Sequence, residues 1–184
     1  MIPWLRATSL GWLLGIPIVI ALAMAGDSLG PGNTQVLVGA GIGLGVGLMQ
    51  ARIVRTLGIE RWRWIAASTL GLALPFLVAD VMGKLGRGIP HALYVCVAIG
   101  GLTAGVWQAF LLRRHLRATW LWVVACVAGW SLAAGTALIS DSMFQKRSLR
   151  GIFGALVYLG VIGLGGPILG LVTGWTYGRL VGLR

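Results

Sequence analysis

The sequence predicts an all-α membrane protein with six transmembrane helices. They are organised as three two-helix repeats in a pseudo-threefold arrangement, with both termini on the cytoplasmic side. Three observations predict this fold: the composition, the spacing of the charged residues and an internal repeat. Hydrophobic residues make up 58% of the 184 residues, charged residues make up 10%, and the mean hydropathy is +0.90. Such a chain has too little polar surface to cover a water-soluble globule.

Long segments without Asp, Glu, Lys or Arg mark the spans. They are residues 7–26, 28–51, 64–79, 88–112, 118–140 and 151–178. A bilayer core about 30 Å thick requires roughly 20 apolar residues in a helix. The third segment is shorter, but Arg63 and Asp80 can extend it because their side chains reach toward the headgroup layers. We therefore expect helices near 7–25, 34–54, 62–80, 91–112, 119–139 and 153–178.

An internal repeat divides the single domain, residues 1–184, into units of about 1–55, 56–115 and 116–184. At an offset of 58 residues, eleven of 32 positions are identical. The first copy of these positions is Gly43, Leu44, Gly47, Gln50, Ala51, Arg55, Trp62, Trp64, Ala67, Gly71 and Leu74. Near the C-terminus the glycines recur, with Tyr177 in the place of the glutamine. The N-terminus supplies the tryptophan part.

The first segment also fits a secretory signal peptide. Arg6 precedes an apolar stretch, and Ala-Met-Ala-Gly at residues 23–26 resembles a cleavage site. The repeat favours a retained helix instead, because Trp4, Ala7 and Gly11 have the spacing found again in the third and fifth helices.

Paired glycines predict where the helices meet. Two helices per unit return the chain to the same side of the membrane, so successive units are parallel and related by an axis along the membrane normal. Glycines four residues apart lie on one helix face and let another helix come close within lipid. The predicted packing glycines are Gly43, Gly47, Gly101, Gly105, Gly170 and Gly174. The alternative is that these faces line a narrow path along the axis.

Basic residues predict the orientation, because Lys and Arg accumulate in cytoplasmic loops. With both termini inside, the cytoplasmic regions hold ten basic residues and one acid, and the outer loops hold five basic residues and three acids. The arginines lie beside the spans, so the expected partner is a bilayer with anionic phospholipids and not nucleic acid. The predicted headgroup residues are Arg52, Arg55, Arg61, Arg63, Arg113, Arg114 and Arg117.

Tryptophans at the cytoplasmic edge are typical of an interfacial aromatic belt. The residues assigned to this belt are Trp4, Trp62, Trp64, Trp120 and Trp122. Gln50 and Gln108 lie further into the membrane, where an amide needs a hydrogen-bond partner. We expect that partner to be a backbone carbonyl of a neighbouring helix or the amide of the other unit. Alternatively, Gln50, Gln108 and Tyr177 converge on the axis as a polar ring that binds or selects a small solute.

The repeated pattern consists of Gly-x-x-Gln, a short arginine loop, Trp-x-Trp and a glycine seven residues further on. It resembles a pattern in small repetitive multi-pass proteins of bacteria that have no assigned function. The resemblance implies a location in the bacterial inner membrane and brings no catalytic residues. Ala51 and Ala109 stand where that group has an aromatic residue.

Residues with catalytic or metal-binding chemistry are few, and we predict that the protein is not an enzyme. Cys96 and Cys126 stand alone within helices, which is typical of packing thiols. His91 and His115 could each ligate the metal of a haem or chlorophyll, but they lie at opposite faces. We therefore expect no cofactor and no metal. Asp80 is the best candidate for a functional carboxylate.

Three functions remain open. The first is a non-catalytic integral inner-membrane subunit or assembly protein, whose partners would be other membrane subunits. The second is a small-solute channel or transporter, either carrier-like or similar to the six-helix substrate-binding component of a vitamin transporter. The third is a pigment- or haem-associated subunit of a photosynthetic or electron-transfer complex.

Overall fold

A computed structural model describes residues 1–28, 34–145 and 151–182, except the side chains of 27, 28, 141 and 143–145. Their regular structure is helical, with no strand in those ranges. The helices are α1 Ile2–Ser28, α2 Val36–Val54, α3 Arg61–Lys84, α4 Ala92–Leu112, α5 Trp120–Gln145, α6 Gly151–Gly163 and α7 Gly165–Gly182. Six spans are long and apolar enough to cross a membrane, the sixth being α6 and α7 together. This confirms the predicted all-helical, multi-pass class. Lys146, Arg147, Arg150 and Arg184, which entered the orientation prediction, lie outside the described residues.

The spans form a closed ring in chain order. Each helix from α1 to α5 packs against the next, and α7 closes the ring by packing against both α5 and α1. The N-termini of α1, α3 and α5 share one end of the bundle, because Trp4, Trp64 and Trp122 are in contact there. We call this the tryptophan end, and the other the opposite end.

The sixth span is divided into two helices, whereas one helix was expected over 153–178. Its helix is interrupted at Leu164, between α6 and α7. Pro167 causes this, because proline lacks an N–H and its ring clashes with the carbonyl four residues earlier, which belongs to Gly163. The Leu164 amide still donates to the carbonyls of Gly160 and Val161, both at 3.2 Å. The two helices therefore follow each other directly and together form one span.

Small residues set the distance between neighbouring helices. A Cβ added at Gly43 would lie 2.6 Å from the carbonyl oxygen of Ser68, and one added at Gly11 would lie 2.7 Å from the Cα of Val46. Backbones in such contact leave no room for a side chain. Among the predicted packing glycines, Gly43 and Gly47 face α3, Gly101 and Gly105 face α5, and Gly170 and Gly174 face α1.

Asp80 caps a helix at the opposite end. Its two carboxylate oxygens accept hydrogen bonds from the backbone amides of Gln35 and Val36, each at 2.9 Å. These amides begin α2 and have no partner within that helix, so the carboxylate satisfies them and complements the positive end of the helix dipole. Asp80, which the sequence suggested as a functional carboxylate, thus has a structural role in which both of its carboxylate oxygens accept hydrogen bonds.

Candidate functional site

A cluster of three tryptophans fills the interior of the ring at the tryptophan end. The ring centroids of Trp4, Trp64 and Trp122 are 5.4 to 6.1 Å apart, and each side chain is at most 1% exposed. Their assignment to an interfacial belt was therefore wrong. Trp62 and Trp120, two residues earlier on the same helices, are 64% and 65% exposed. A step of two residues turns a helix by about 200°, which places the two tryptophans of each pair on opposite faces.

Gln50 links three helices beneath this cluster. The indole N–H of Trp64 on α3 donates to Gln50 Oε1 at 3.3 Å. Gln50 Nε2 on α2 donates to the hydroxyl of Thr8 on α1 at 2.9 Å. One buried amide thereby bonds both neighbouring helices, and its donor and acceptor groups are both used.

Gln108 makes the same link one unit later. Trp122 Nε1 on α5 donates to Gln108 Oε1 at 3.0 Å, and Gln108 Nε2 donates to Ser68 Oγ on α3 at 2.9 Å. The Ser68 hydroxyl donates to the carbonyl of Trp64. The expected partners, a backbone carbonyl or the other amide, were therefore wrong for both glutamines. The partners are indoles and hydroxyls, because tryptophan supplies a donor and serine or threonine can accept as well as donate.

The third junction, between α7 and α1, uses an aromatic ring where the others use an amide. Tyr177 stacks on Trp4 with centroids 4.4 Å apart and an interplanar angle of 19°, and it also contacts the edge of Trp122. Trp4 Nε1 donates to the hydroxyl of Thr173, four residues before Tyr177, at 3.0 Å. The indole therefore keeps a hydrogen bond although no glutamine is present.

Sequence reasoning missed the residues that complete these links. Thr8, Ser68 and Cys126 each lie four residues after a clustered tryptophan. Cys126 also faces Gln108, with Sγ 3.7 Å from Oε1. A comparison based on identical residues overlooks a threonine, a serine and a cysteine at matching positions. A search for small side chains able to form hydrogen bonds at this spacing would have found them.

An apolar cavity of about 450 Å³ occupies the other half of the ring. It begins at Trp12, two helical turns beyond Trp4, and extends toward the opposite end. All six spans contribute to its lining, as represented by Trp12, Ile42, Phe76, Val97, Ala137 and Tyr158. None of the described residues that line it is charged.

The α6 side of the cavity is loosely packed. Gly154 is the buried residue of α6, whereas Ile152, Phe153, Leu156 and Leu159 are at least half exposed. The helix is held to α1 where Trp12 Nε1 donates to the carbonyl of Ile162 at 3.0 Å. Only a short segment of α6 therefore fixes its position next to α1.

The predicted headgroup arginines surround the tryptophan end. All seven, Arg52, Arg55, Arg61, Arg63, Arg113, Arg114 and Arg117, have exposed side chains. Arg63 Nε forms a 2.9 Å salt bridge with Glu60, and the Arg113 guanidinium lies 3.6 Å from the ring centroid of Phe110. The structure thus provides a basic rim just outside the tryptophan cluster.

The two histidines are far apart. Exposed His91 precedes α4 at the opposite end, and exposed His115 lies in the α4–α5 loop at the tryptophan end. Cys96 and Cys126 are buried and unpaired. Within the described ranges, no three His, Cys, Asp or Glu side chains group closely enough to hold a metal ion.

Comparison with known proteins finds no family model, no curated protein and no solved structure that is significantly similar to this chain.

Proposed function

We propose that the protein is a non-catalytic integral membrane protein that binds an apolar molecule inside its helical ring. The apolar cavity carries this proposal. Its volume of about 450 Å³ lies within the range of about 300 to 1,000 Å³ typical of small-molecule sites. This role draws on two of the functions that the sequence left open. It is non-catalytic, as expected for a membrane subunit, and it binds a small molecule, as does the substrate-binding component of a transporter.

The chemistry of the lining selects the class of ligand. A buried water or a polar solute needs several hydrogen-bonding partners, and an ion needs charged or carbonyl ligands. The lining consists mostly of aliphatic and aromatic side chains such as Ile16, Leu72 and Leu93. A hydrocarbon, such as an acyl or isoprenoid chain, matches it best.

The tryptophan cluster favours binding over conduction. A channel needs a continuous polar path between the two faces of the membrane. Three indoles that are at most 1% exposed fill the ring interior at one end, and their N–H groups are already bonded within the protein. The cavity is therefore closed at the tryptophan end, and a ligand would reach it from the lipid or from the opposite end.

We also propose that the three helix pairs are related by a pseudo-threefold axis through the tryptophan cluster. In support, the close backbone contact of Gly11 with Val46 in the first pair recurs as that of Gly71 with Ala104 in the second, and the equivalent Gly129 in the third pair meets the side chains of Leu169 and Thr173. If the first two helix pairs are equivalent, Gln50→Leu on α2 and Gln108→Leu on α4 will lower the free energy of unfolding by similar amounts.

The proposed location is the bacterial inner membrane, with the tryptophan end and both termini cytoplasmic. The basic rim supports this orientation, because basic residues favour the cytoplasmic side. Cysteines introduced at exposed Thr56 and Gly83 would test it in cells with a membrane-impermeant thiol reagent, because the native cysteines are buried. The proposed orientation requires the reagent to reach position 83 and not position 56.

A photoreactive fatty acid tests the binding function directly. The protein is placed in nanodiscs with a diazirine-bearing fatty acid, irradiated, and mapped by mass spectrometry for adducts on cavity residues. Ala137→Trp introduces a large side chain into the cavity from α5, so cavity adducts should fall at least about tenfold because the ligand volume is occupied. Ala128→Trp is the matched control, because Ala128 is on the same helix but exposed.

Labelling confined to the lipid-facing surface would contradict the proposal. So would cavity labelling that Ala137→Trp and Ala128→Trp reduce equally. A circular-dichroism melt of each variant ensures that folded proteins are compared.

A further inference from the structure

Two adjoining depressions follow the seam between α3 and α4 at the tryptophan end. The first, of about 340 Å³, is lined by the polar side chains of Glu60, Arg63, Arg114 and His115. The second, of about 290 Å³, is lined by the apolar side chains of Trp62, Ala66, Leu70 and Trp107. Arg63, Phe110 and Leu111 line both. The two depressions adjoin at these shared residues, and we call the pair the α3–α4 groove, with a cationic end and an apolar end.

We propose that the α3–α4 groove binds one anionic phospholipid. The phosphate would lie between Arg63 and Arg114, and one acyl chain would run along the apolar end toward Leu70. Seven residues separate Arg63 from Leu70, which corresponds to about 10 Å along a helix. That distance carries a chain from the headgroup layer well into the hydrocarbon. A free phosphate would use only the cationic end, so the apolar end favours a lipid.

The side chains at the cationic end are suited to a phosphate. Glu60 bonds Arg63 through Nε, and Trp62 lies under the guanidinium with 5.4 Å between its ring centroid and Cζ. These contacts orient Arg63, and a guanidinium with several N–H donors can still bind a phosphate in a bidentate manner. Arg114 forms no ion pair with any residue that the structure describes.

The groove also departs from the internal repeat. In the aligned units, Leu121 occupies the position of Arg63, Thr56 occupies that of Arg114, and Val124 occupies that of Ala66. The repeated glycines, glutamines and clustered tryptophans are accounted for by helix packing. Helix packing does not account for Arg63, Arg114 and Ala66, which differ from their aligned residues. The combination of Arg63 and Arg114 with the small residue Ala66 therefore distinguishes the α3–α4 seam from the corresponding seams of the other units. The inference needs the protein in a membrane and does not depend on a ligand in the apolar cavity.

Native mass spectrometry of the full-length protein tests the site. The protein in detergent is titrated with palmitoyl-oleoyl phosphatidylglycerol or with phosphatidylcholine of the same chains. We expect one tightly held phosphatidylglycerol, with phosphatidylcholine bound at least about tenfold more weakly. Arg63→Gln with Arg114→Gln should remove this preference. Arg61→Gln with Arg117→Gln changes the net charge equally, on the same helix and the same loop but outside the groove, and should preserve it.

A second variant tests the apolar end. Ala66→Trp occupies the acyl-chain position without changing the charge, so it should weaken phosphatidylglycerol binding about tenfold. Ala128→Trp, on a different lipid-facing surface, should not. Equal losses in the two arginine pairs would mean general charge attraction and would overturn the proposal. Competition by millimolar inorganic phosphate, or binding unaffected by Ala66→Trp, would mean an anion site without a lipid and would also overturn it.

Discussion

The two halves of the helical ring are built differently, although the same helices form both. At the tryptophan end, directional hydrogen bonds join Trp64, Gln50 and Thr8, and the equivalent set joins Trp122, Gln108 and Ser68. In the other half, aliphatic side chains surround a cavity of about 450 Å³. Buried side-chain hydrogen bonds thus fill the interior of the ring at the tryptophan end, whereas the interior of the other half is an apolar space able to accommodate a ligand.

The difference between the two halves matters because the helices associate in lipid and not in water. In lipid, apolar side chains gain little by leaving hydrocarbon for the protein interior, so helix association depends on close packing and on hydrogen bonds. The tryptophan half has both. In the cavity half, glycine contacts such as Gly39 against Leu72 are joined by the Asp80 cap on α2 and by the bond from Trp12 to Ile162. We therefore expect substitutions in the two halves to differ in size and even in sign.

The largest expected effect is that of Trp64→Ala. It removes a fully buried indole from the centre of the cluster and leaves Gln50 Oε1 without its donor, so the free energy of unfolding should fall by about 3 to 5 kcal/mol. Thermal unfolding in a fixed detergent, followed by circular dichroism, measures the loss. Trp62→Ala is the matched control because the side chain of Trp62 is exposed, and it should cost under about 1 kcal/mol. Equal losses would mean that the cluster does not organise this end.

A smaller loss is expected for Gln108→Leu. The substitution keeps the volume but removes the bonds to Trp122 and Ser68, and bonds between membrane helices are worth about 0.6 to 1.7 kcal/mol each. Stability should therefore fall by about 1 to 3 kcal/mol. If the glutamine faced a solute path instead, the substitution would spare stability and affect only transport.

A double-mutant cycle isolates the bond itself. Trp122→Phe keeps an aromatic ring and removes the N–H donor, so its combination with Gln108→Leu should cost less than the sum of the single losses. Additive losses would show that the 3.0 Å contact contributes nothing by itself.

The smallest effect is expected in α6, and it has the opposite sign. A Cβ added at Gly160 would have no heavy atom within 4 Å among its described neighbours. Gly160→Ala should therefore raise stability by up to about 1 kcal/mol, because alanine restricts the unfolded chain and favours a helix. The same detergent melts measure it. A destabilised Gly160→Ala variant would mean that α6 is closely packed at this position and that the expected difference between the two halves is absent.

The sequence was enough to predict the number of spans, the glycines at helix contacts and the need of Gln50 and Gln108 for a hydrogen-bond partner. Each of these reflects a local requirement of a helix in lipid. The helix break at Leu164 could not be predicted from Pro167 alone, because Pro17 and Pro75 lie inside α1 and α3 without interrupting them. The cavity could not be predicted, because its lining is apolar in the same way as the lipid-facing surface. Hydropathy cannot distinguish Ala137, which lines the cavity, from Ala128, which is exposed.

Composition and repetition are enough to establish the membrane class and the repeat, since a hydrocarbon solvent requires apolar spans of a certain length and since repeated residues are visible without coordinates. Which tryptophans are structural depends on how the helices pack. An indole is suited both to a membrane interface and to a core with an acceptor. Trp64 takes the second role because α2 brings the Gln50 acceptor to its N–H, whereas Trp62 projects from the other face of α3 and is exposed.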